Sequence, residues 1–115
     1  PLPLNPMPFG DPGQTYPTAR RDLEDIRKYT VARWGRDQWF RYFAGLSEAF
    51  QRIANDPQSG RQRDRLLSGL RSLTFEQHVI FFNPIRHAGG SPVIVRIVHQ
   101  RRNLSALSFT DDLEG

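Results

Sequence analysis

The chain has 115 residues, no cysteine and a formal charge of +4. That length fits one domain, and the missing cysteines exclude a disulfide framework and a thiolate zinc site. No run reaches transmembrane length and the first residues lack the apolar stretch of a signal peptide, so a soluble cytoplasmic protein with no membrane role is expected. Of 16 basic residues Lys28 is the one lysine, and the rest are arginines. Arginine offers planar forks suited to phosphates, carboxylates and buried pairs. Genomic base composition produces the same bias, so only the placement of the arginines carries information. A hydrophobic content of 37% promises one modest core.

Residues 1–17 hold six of the nine prolines, with Gly10 and Gly13 between them. Proline removes backbone donors and restricts the residue before it, so this stretch reads as an extended arm. Gln14 to Tyr16 is a candidate short edge strand. From Thr18, a candidate N-cap, the pattern becomes helical. Ala19, Leu23, Ile26, Thr30 and Trp34 form one narrow stripe. Arg21/Asp25 and Glu24/Lys28 are pairs of opposite sign at i,i+4 on the exposed side. Gly35 interrupts the pattern. A second helix follows from about Arg36 to Ala54, with Trp39, Phe43, Leu46, Phe50 and Ile53 in its stripe, widened by Tyr42 and Ala49. Phe40 lies off that stripe, and packing under the first helix is favoured over a partner contact. Two stripes joined at one glycine predict an antiparallel helical hairpin.

Asn55 to Gly60 is a stop and loop. Arg61, Arg63 and Arg65 follow, with Asp64 among them. Three strand-like segments come next: Leu70 to Phe75, His78 to Phe82, and Val93 to His99. Glu76-Gln77 is a tight turn between the first two. Asn83 to Pro92, with Gly89-Gly90 as a hairpin turn, joins the last two. Short connections predict an antiparallel meander. The expected fold is α+β in two layers, with the helical hairpin packed on a three- or four-stranded antiparallel sheet. In the last strand, Val93, Val95 and Ile97 are expected on one face and Ile94, Arg96 and Val98 on the other, one face on the core and the other carrying a basic group. The domain is taken as 18–110, and 111–115 as a frayed acidic tail.

One basic cluster is worth weighing: Arg71, His78, Arg96 and His99 on strands, with Arg101 and Arg102 just beyond. As a ribonuclease site, His99 would act as base or acid while Arg71 and Arg96 stabilised the phosphate transition state. That chemistry needs a second proton-transfer group, and no tyrosine follows Tyr42. Glu76 and His78 are the nearby candidates. The alternative is a recognition surface in which the arginines meet a partner's carboxylates and His99 is a strand-end histidine bonded to backbone, and this reading is favoured. His78, His87 and His99 show no paired-ligand spacing, so no metal and no cofactor is expected. A phosphate-binding glycine loop, a helix-turn-helix and a zinc finger are all missing.

Six motifs in order then carry a family resemblance: A-R-R-D-L-E-D-I-R-K-Y-T at Ala19–Thr30, R-W-G at Arg33–Gly35, N-D-P-Q-S-G-R at Asn55–Arg61, G-L-R-S-L at Gly69–Leu73, H-V-I-F-F at His78–Phe82 and V-R-I-V-H-Q-R-R-N at Val95–Asn103. Together they resemble the ParE branch of the RelE/ParE superfamily of type II toxin–antitoxin systems, over about Ala19 to Phe109. The resemblance implies a toxin that inhibits DNA gyrase and is neutralised by a ParD-like antitoxin. Contact with operator DNA would be indirect, through the antitoxin. It implies no catalysis, and it places Arg71, Arg96, His99, Arg101 and Arg102 in the family's motifs. RelE-like members instead cleave mRNA on the ribosome, and an inactive antitoxin-binding member is a third possibility. Family members open with a short strand before the first helix. Pro17 stands there in this chain, leaving either three strands or an edge for the antitoxin to complete.

Overall fold

The computed structural model describes residues 15–84, 92–107 and 109. Residues 1–14 of the extended arm, His87 and Gly89-Gly90 in the loop, and the acidic tail at 111–115 lie outside them. In chain order the elements are α1 (Pro17–Trp34), α2 (Arg36–Asn55), β1 (Arg61–Gln62), β2 (Arg71–Phe75), β3 (His78–Asn83) and β4 (Val93–His99). The four strands form one antiparallel sheet in the order β1-β2-β3-β4. The helical hairpin covers one face, α1 against β4 and α2 against β2. The two-layer α+β architecture expected from the sequence is therefore present, with four strands.

Helix α1 starts one residue before the expected cap. Tyr16 is the N-cap and Pro17 the first helical residue, a position where its missing N–H is no loss and its fixed φ is already helical. The helix ends on Gly35, which has a φ of 95° and donates its N–H to the Val31 carbonyl at 3.0 Å. The same glycine caps α2, accepting from Trp39 N–H at 3.3 Å. Only Ala19 and Leu23 of the α1 stripe are buried, and Trp34 is 64% exposed. Glu24 pairs with Arg27, three residues on, rather than with Lys28. The α2 stripe is the stronger one, burying Trp39, Leu46, Ala49, Phe50 and Ile53. Phe40 does not pack under α1; it is 60% exposed, because its off-stripe position turns it away from the sheet.

The sheet is buried on both faces, which corrects the expectation of a single core. Under the helices, Ile80, Phe82, Ile94 and Ile97 join Leu46, Phe50 and Ile53. On the opposite face Leu70, Val79, Phe81, Val95, Val98 and Phe109 form a second cluster, with Leu66, Leu67, Leu104 and Leu107 at its margin. Loops supply that cover, which is why helix and strand periodicity did not reveal it.

Strand β4 also departs from simple alternation. Phe82 pairs with Ile94 and Phe81 with Arg96, so Val95 is an extra residue, a β-bulge. One inserted residue shifts the phase of everything after it. Ile94 and Ile97 thus face the helices while Val95 and Val98 face the second cluster. Of the candidate first strand, the described residues Thr15 and Tyr16 form one parallel bridge, Thr15 to Ile94, with Tyr16 N–H on the Ile94 carbonyl at 2.9 Å.

Candidate functional site

The β2–β3 turn brings the site together. Glu76 takes a φ of 54°, the one positive value on a non-glycine residue among the described residues. This left-handed conformation disfavours a side chain with Cβ. The tight turn sets His78 opposite Phe75 on β2, and the next pairing sets His78 opposite His99 on β4. The two imidazoles meet edge to face, centroids 5.6 Å apart. Behind them stands Tyr42 of α2, with its hydroxyl 2.5 Å from His78 Nδ1 and 3.5 Å from the Phe75 carbonyl oxygen. The second distance is at the limit of a hydrogen bond, so the phenol donates to Nδ1. Burial, helped by the facing His99, pushes the His78 pKa down to about 4. At neutral pH this imidazole is uncharged and can accept the bond. Burial and the nearby Glu76 carboxylate push the Tyr42 phenol up, so it stays protonated. His99 is exposed, and its Nδ1 accepts the Arg101 N–H at 3.1 Å.

These groups line a groove of about 820 Å³ between the C-terminal half of α1, the start of α2, the β2–β3 turn and the end of β4. Tyr29, Arg33 and Trp34 form one wall, with the Arg33 guanidinium stacked on the indole at 5.5 Å. Asp22, Asp25, Glu76 and Arg102 complete its charged lining. Tyr29 is 63% exposed, so the wall is an accessible aromatic surface. Such surfaces, aromatic with arginine beside them, are the composition of protein-binding hot spots.

The other two strand arginines are turned to internal work. Arg96 is buried and forks onto Asp22 of α1, Nε to Oδ2 at 2.7 Å and Nη2 to Oδ1 at 3.0 Å. Asp22 Oδ2 also accepts the Ile97 N–H at 2.9 Å. One carboxylate therefore satisfies the buried cation and part of the outer edge of β4. Arg71 points the other way. Its Nε donates to the Ser59 carbonyl at 2.9 Å, and Nη2 to those of Gln58 and Gly60 at 2.5 and 3.2 Å. It pairs across β3 with Phe82, four residues along the strand from His78, roughly 13 Å at strand rise.

Of the residues singled out in the sequence, His78, His99 and Arg102 thus share the groove, and Arg101 holds His99 through its backbone. Arg71 and Arg96 sit elsewhere. Tyr42 and Asp22 were missed, although both carried a signal. Asp22 lies three residues after Ala19 and four before Ile26, and Tyr42 three after Trp39 and four before Leu46, so each sits on its helix's buried stripe. No group of three metal-ligating side chains assembles among the described residues. No helix among them is long and apolar enough to cross a membrane.

A helical hairpin on a four-stranded antiparallel sheet, with a mixed aromatic and charged groove at one end, defines a small two-layer α+β domain. Comparison with known proteins is more specific. Residues 16–104 match the family described as the ParE toxin of the type II toxin–antitoxin system parDE, and the chain belongs to that family. It is 35% identical over 88 residues to Toxin ParE1 of Mycobacterium tuberculosis, spanning 76% of this chain and 88% of that one. It is 33% identical over 97 residues to Toxin ParE of Escherichia coli, spanning 84% and 91%. Toxin ParE1 of Caulobacter vibrioides shares 33% over 88 residues, 76% and 88% of the two chains. A solved structure, the chromosomal ParDE system from P. aeruginosa, superposes with a TM-score of 0.60 at 22% identity, over 74% of this chain and 90% of that one, and so supports the fold.

Proposed function

We propose that this ParE-type toxin acts in the cytoplasm by binding and inhibiting DNA gyrase, and that a ParD-like antitoxin holds it in check and links it to operator DNA. The mode of action is recognition without catalysis. One observation carries this reading: the strand arginines that a phosphate transition state would require are already engaged, Arg96 on Asp22 and Arg71 on three carbonyls. What remains open is the groove, whose aromatic wall and mixed charges suit a protein surface. The positive net charge favours an acidic antitoxin segment through electrostatic steering.

A second reading has one observation in its favour. Tyr42 supplies beside His78 the phenol that the C-terminal sequence lacks. In a ribosome-dependent mRNA interferase, His99 would move the proton and the Tyr42–His78 pair would position it. Purified toxin should be assayed in parallel for gyrase supercoiling and for mRNA cleavage in a translation extract. Loss of supercoiling with intact mRNA supports inhibition of gyrase. Ribosome-dependent cuts that His99→Ala abolishes would sink it. Antitoxin binding with neither effect would mark an inactive member.

A further inference from the structure

Five arginines that the fold leaves without an acid gather on one side of the sheet. Strand β1 is only two residues long and is the sheet's bare edge. Two devices hold it. Gly60 has a φ of 81°, and a Cβ there would lie 2.2 Å from the Ser72 carbonyl oxygen, so only glycine lets the chain come this close to β2. Arg71 then ties the carbonyls of residues 58–60 together. Beyond β1, Arg63 N–H continues the ladder to the Leu70 carbonyl at 2.8 Å. Arg61 pairs with Ser72, and Ser72 with Phe81 of the second cluster. Residues paired directly across a sheet share a face, and so do alternate residues of one strand. Arg61 and Arg63 therefore lie on the side away from the helices, roughly 7 Å apart at strand rise.

The C-terminal segment returns to this side. Asn103, Leu104 and Ser105 face residues 61–66 across a second groove, of about 670 Å³. Arg101 and Arg102 immediately precede them, and Arg102 also lines the groove around His78. Arg61, Arg65, Arg101 and Arg102 are exposed. Arg63 is half-buried over the Phe81 ring, 5.8 Å from its centroid, and its Nε donates to Ser72 Oγ at 2.8 Å. None of the five has a carboxylate partner among the described residues. Asp64, the one acid lining the second groove, already accepts the Gly69 N–H at 2.8 Å. Burial and the neighbouring Arg61 lower the Arg63 pKa, the direction expected of a cation short of a counter-charge. Cations gathered without acids repel one another, a cost to folding that a polyanion relieves.

We propose that this band of arginines, Arg61, Arg63, Arg65, Arg101 and Arg102, binds the phosphate backbone of double-stranded DNA directly, without reading its sequence. The inference is independent of the gyrase reading. Guanidinium forks match phosphate oxygens in geometry. Phosphate contacts position a protein on a duplex but carry no sequence information. Single-stranded nucleic acid fits less well, because neither 61–66 nor 101–105 contains an aromatic side chain to stack a base. A lipid surface fits less well too, because Leu66 and Leu104 pack at the margin of the second cluster and leave no apolar face to insert. The Gly60 and Arg71 devices hold Arg61 and Arg63 in place before DNA arrives, which lowers the ordering cost of binding.

The test is fluorescence anisotropy with the full chain, without gyrase or antitoxin, and a short labelled DNA duplex over a series of salt concentrations. The expected result is saturable binding whose log affinity falls against log salt with a slope of about −4, from four or five neutralised phosphates. Arg61→Gln/Arg65→Gln and Arg101→Gln/Arg102→Gln, all surface positions, should each reduce that slope by about 2. Arg21→Gln/Arg52→Gln removes the same charge from exposed positions on the helices and should leave the slope unchanged. Two duplexes of unrelated sequence should bind equally. No binding, an unchanged slope in either band variant, or an equal loss in the helix variant would each overturn the proposal. So would a preference of more than roughly tenfold between the duplexes, or tighter binding of a single strand of the same length or of phosphatidylserine vesicles.

Discussion

At one end of the sheet a phenol, two imidazoles and an aromatic wall surround a groove of mixed charge; at the other, three arginines flank a bare strand edge. The first end is assembled from four elements that meet only in the folded chain, α1, α2, the β2–β3 turn and the end of β4. The second is local, built from one loop, one short strand and the arginine that ties them. Between the two, Arg96 and Asp22 close off the middle of β4. Burial thus decides what a cation does here. A buried arginine must be paired and becomes structural, whereas Arg61 and Arg65 stay exposed to solvent.

Removing Asp22 should have the largest effect. Asp22→Ala leaves Arg96 buried without its carboxylate and the Ile97 N–H without its acceptor, a loss of about 3–5 kcal/mol by chemical denaturation. Replacing both partners by apolar residues, as in Asp22→Leu/Arg96→Met, should recover most of it. Failure to recover would mean that Arg96 has a role beyond pairing.

Acid should unfold the groove end next. His78 has a folded pKa of about 4 against an ordinary 6.5, so below pH 6.5 the unfolded chain binds the proton more readily. Stability therefore falls as the pH drops from 6.5 towards 4, by on the order of 1–2 kcal/mol for an imidazole that solvent still partly screens. In His78→Phe this component of the acid loss should vanish. An unchanged acid profile would show that His78 is not held neutral by burial.

Two smaller effects separate the ends further. Arg71→Ala removes partly exposed hydrogen bonds from a charged donor and should cost about 1–2 kcal/mol. Its signature is local: faster hydrogen exchange at the Arg63 amide, with the amides of β3 and β4 unaffected. A uniform rise in exchange would make Arg71 part of the global core instead. Tyr42→Phe should cost about 1 kcal/mol and raise the His78 pKa measured by NMR, because the imidazole loses the donor that favours its neutral form.

Most of the architecture was legible in the sequence, and the misses share a physical cause. The hairpin was readable because Gly35 separates two apolar stripes, and the meander because strand-like runs alternate with tight connections. The bulge at Val95 was not readable, since one extra valine in a Val/Ile run leaves no compositional mark. Strand β1 was missed because Arg-Gln carries no hydrophobic pattern; its pairing depends on Gly60 and Arg71, side chains and backbone brought in from elsewhere. In the groove, His78 and His99 were recognised but not their contact, which is fixed by register. The link from Tyr42 to His78 spans 36 positions in the chain, and periodicity speaks only to neighbours within a helix.

The most direct measurement is a titration of fixed gyrase with the purified toxin, followed as loss of DNA supercoiling. Inhibition by recognition predicts saturation near equimolar toxin, reversal by added antitoxin, retained inhibition in His99→Ala, and weakened inhibition in Trp34→Ala, a variant whose stability should change by less than about 0.5 kcal/mol. The contradicting result is undisturbed supercoiling at excess toxin, together with mRNA cleavage on ribosomes at substoichiometric toxin that His99→Ala abolishes.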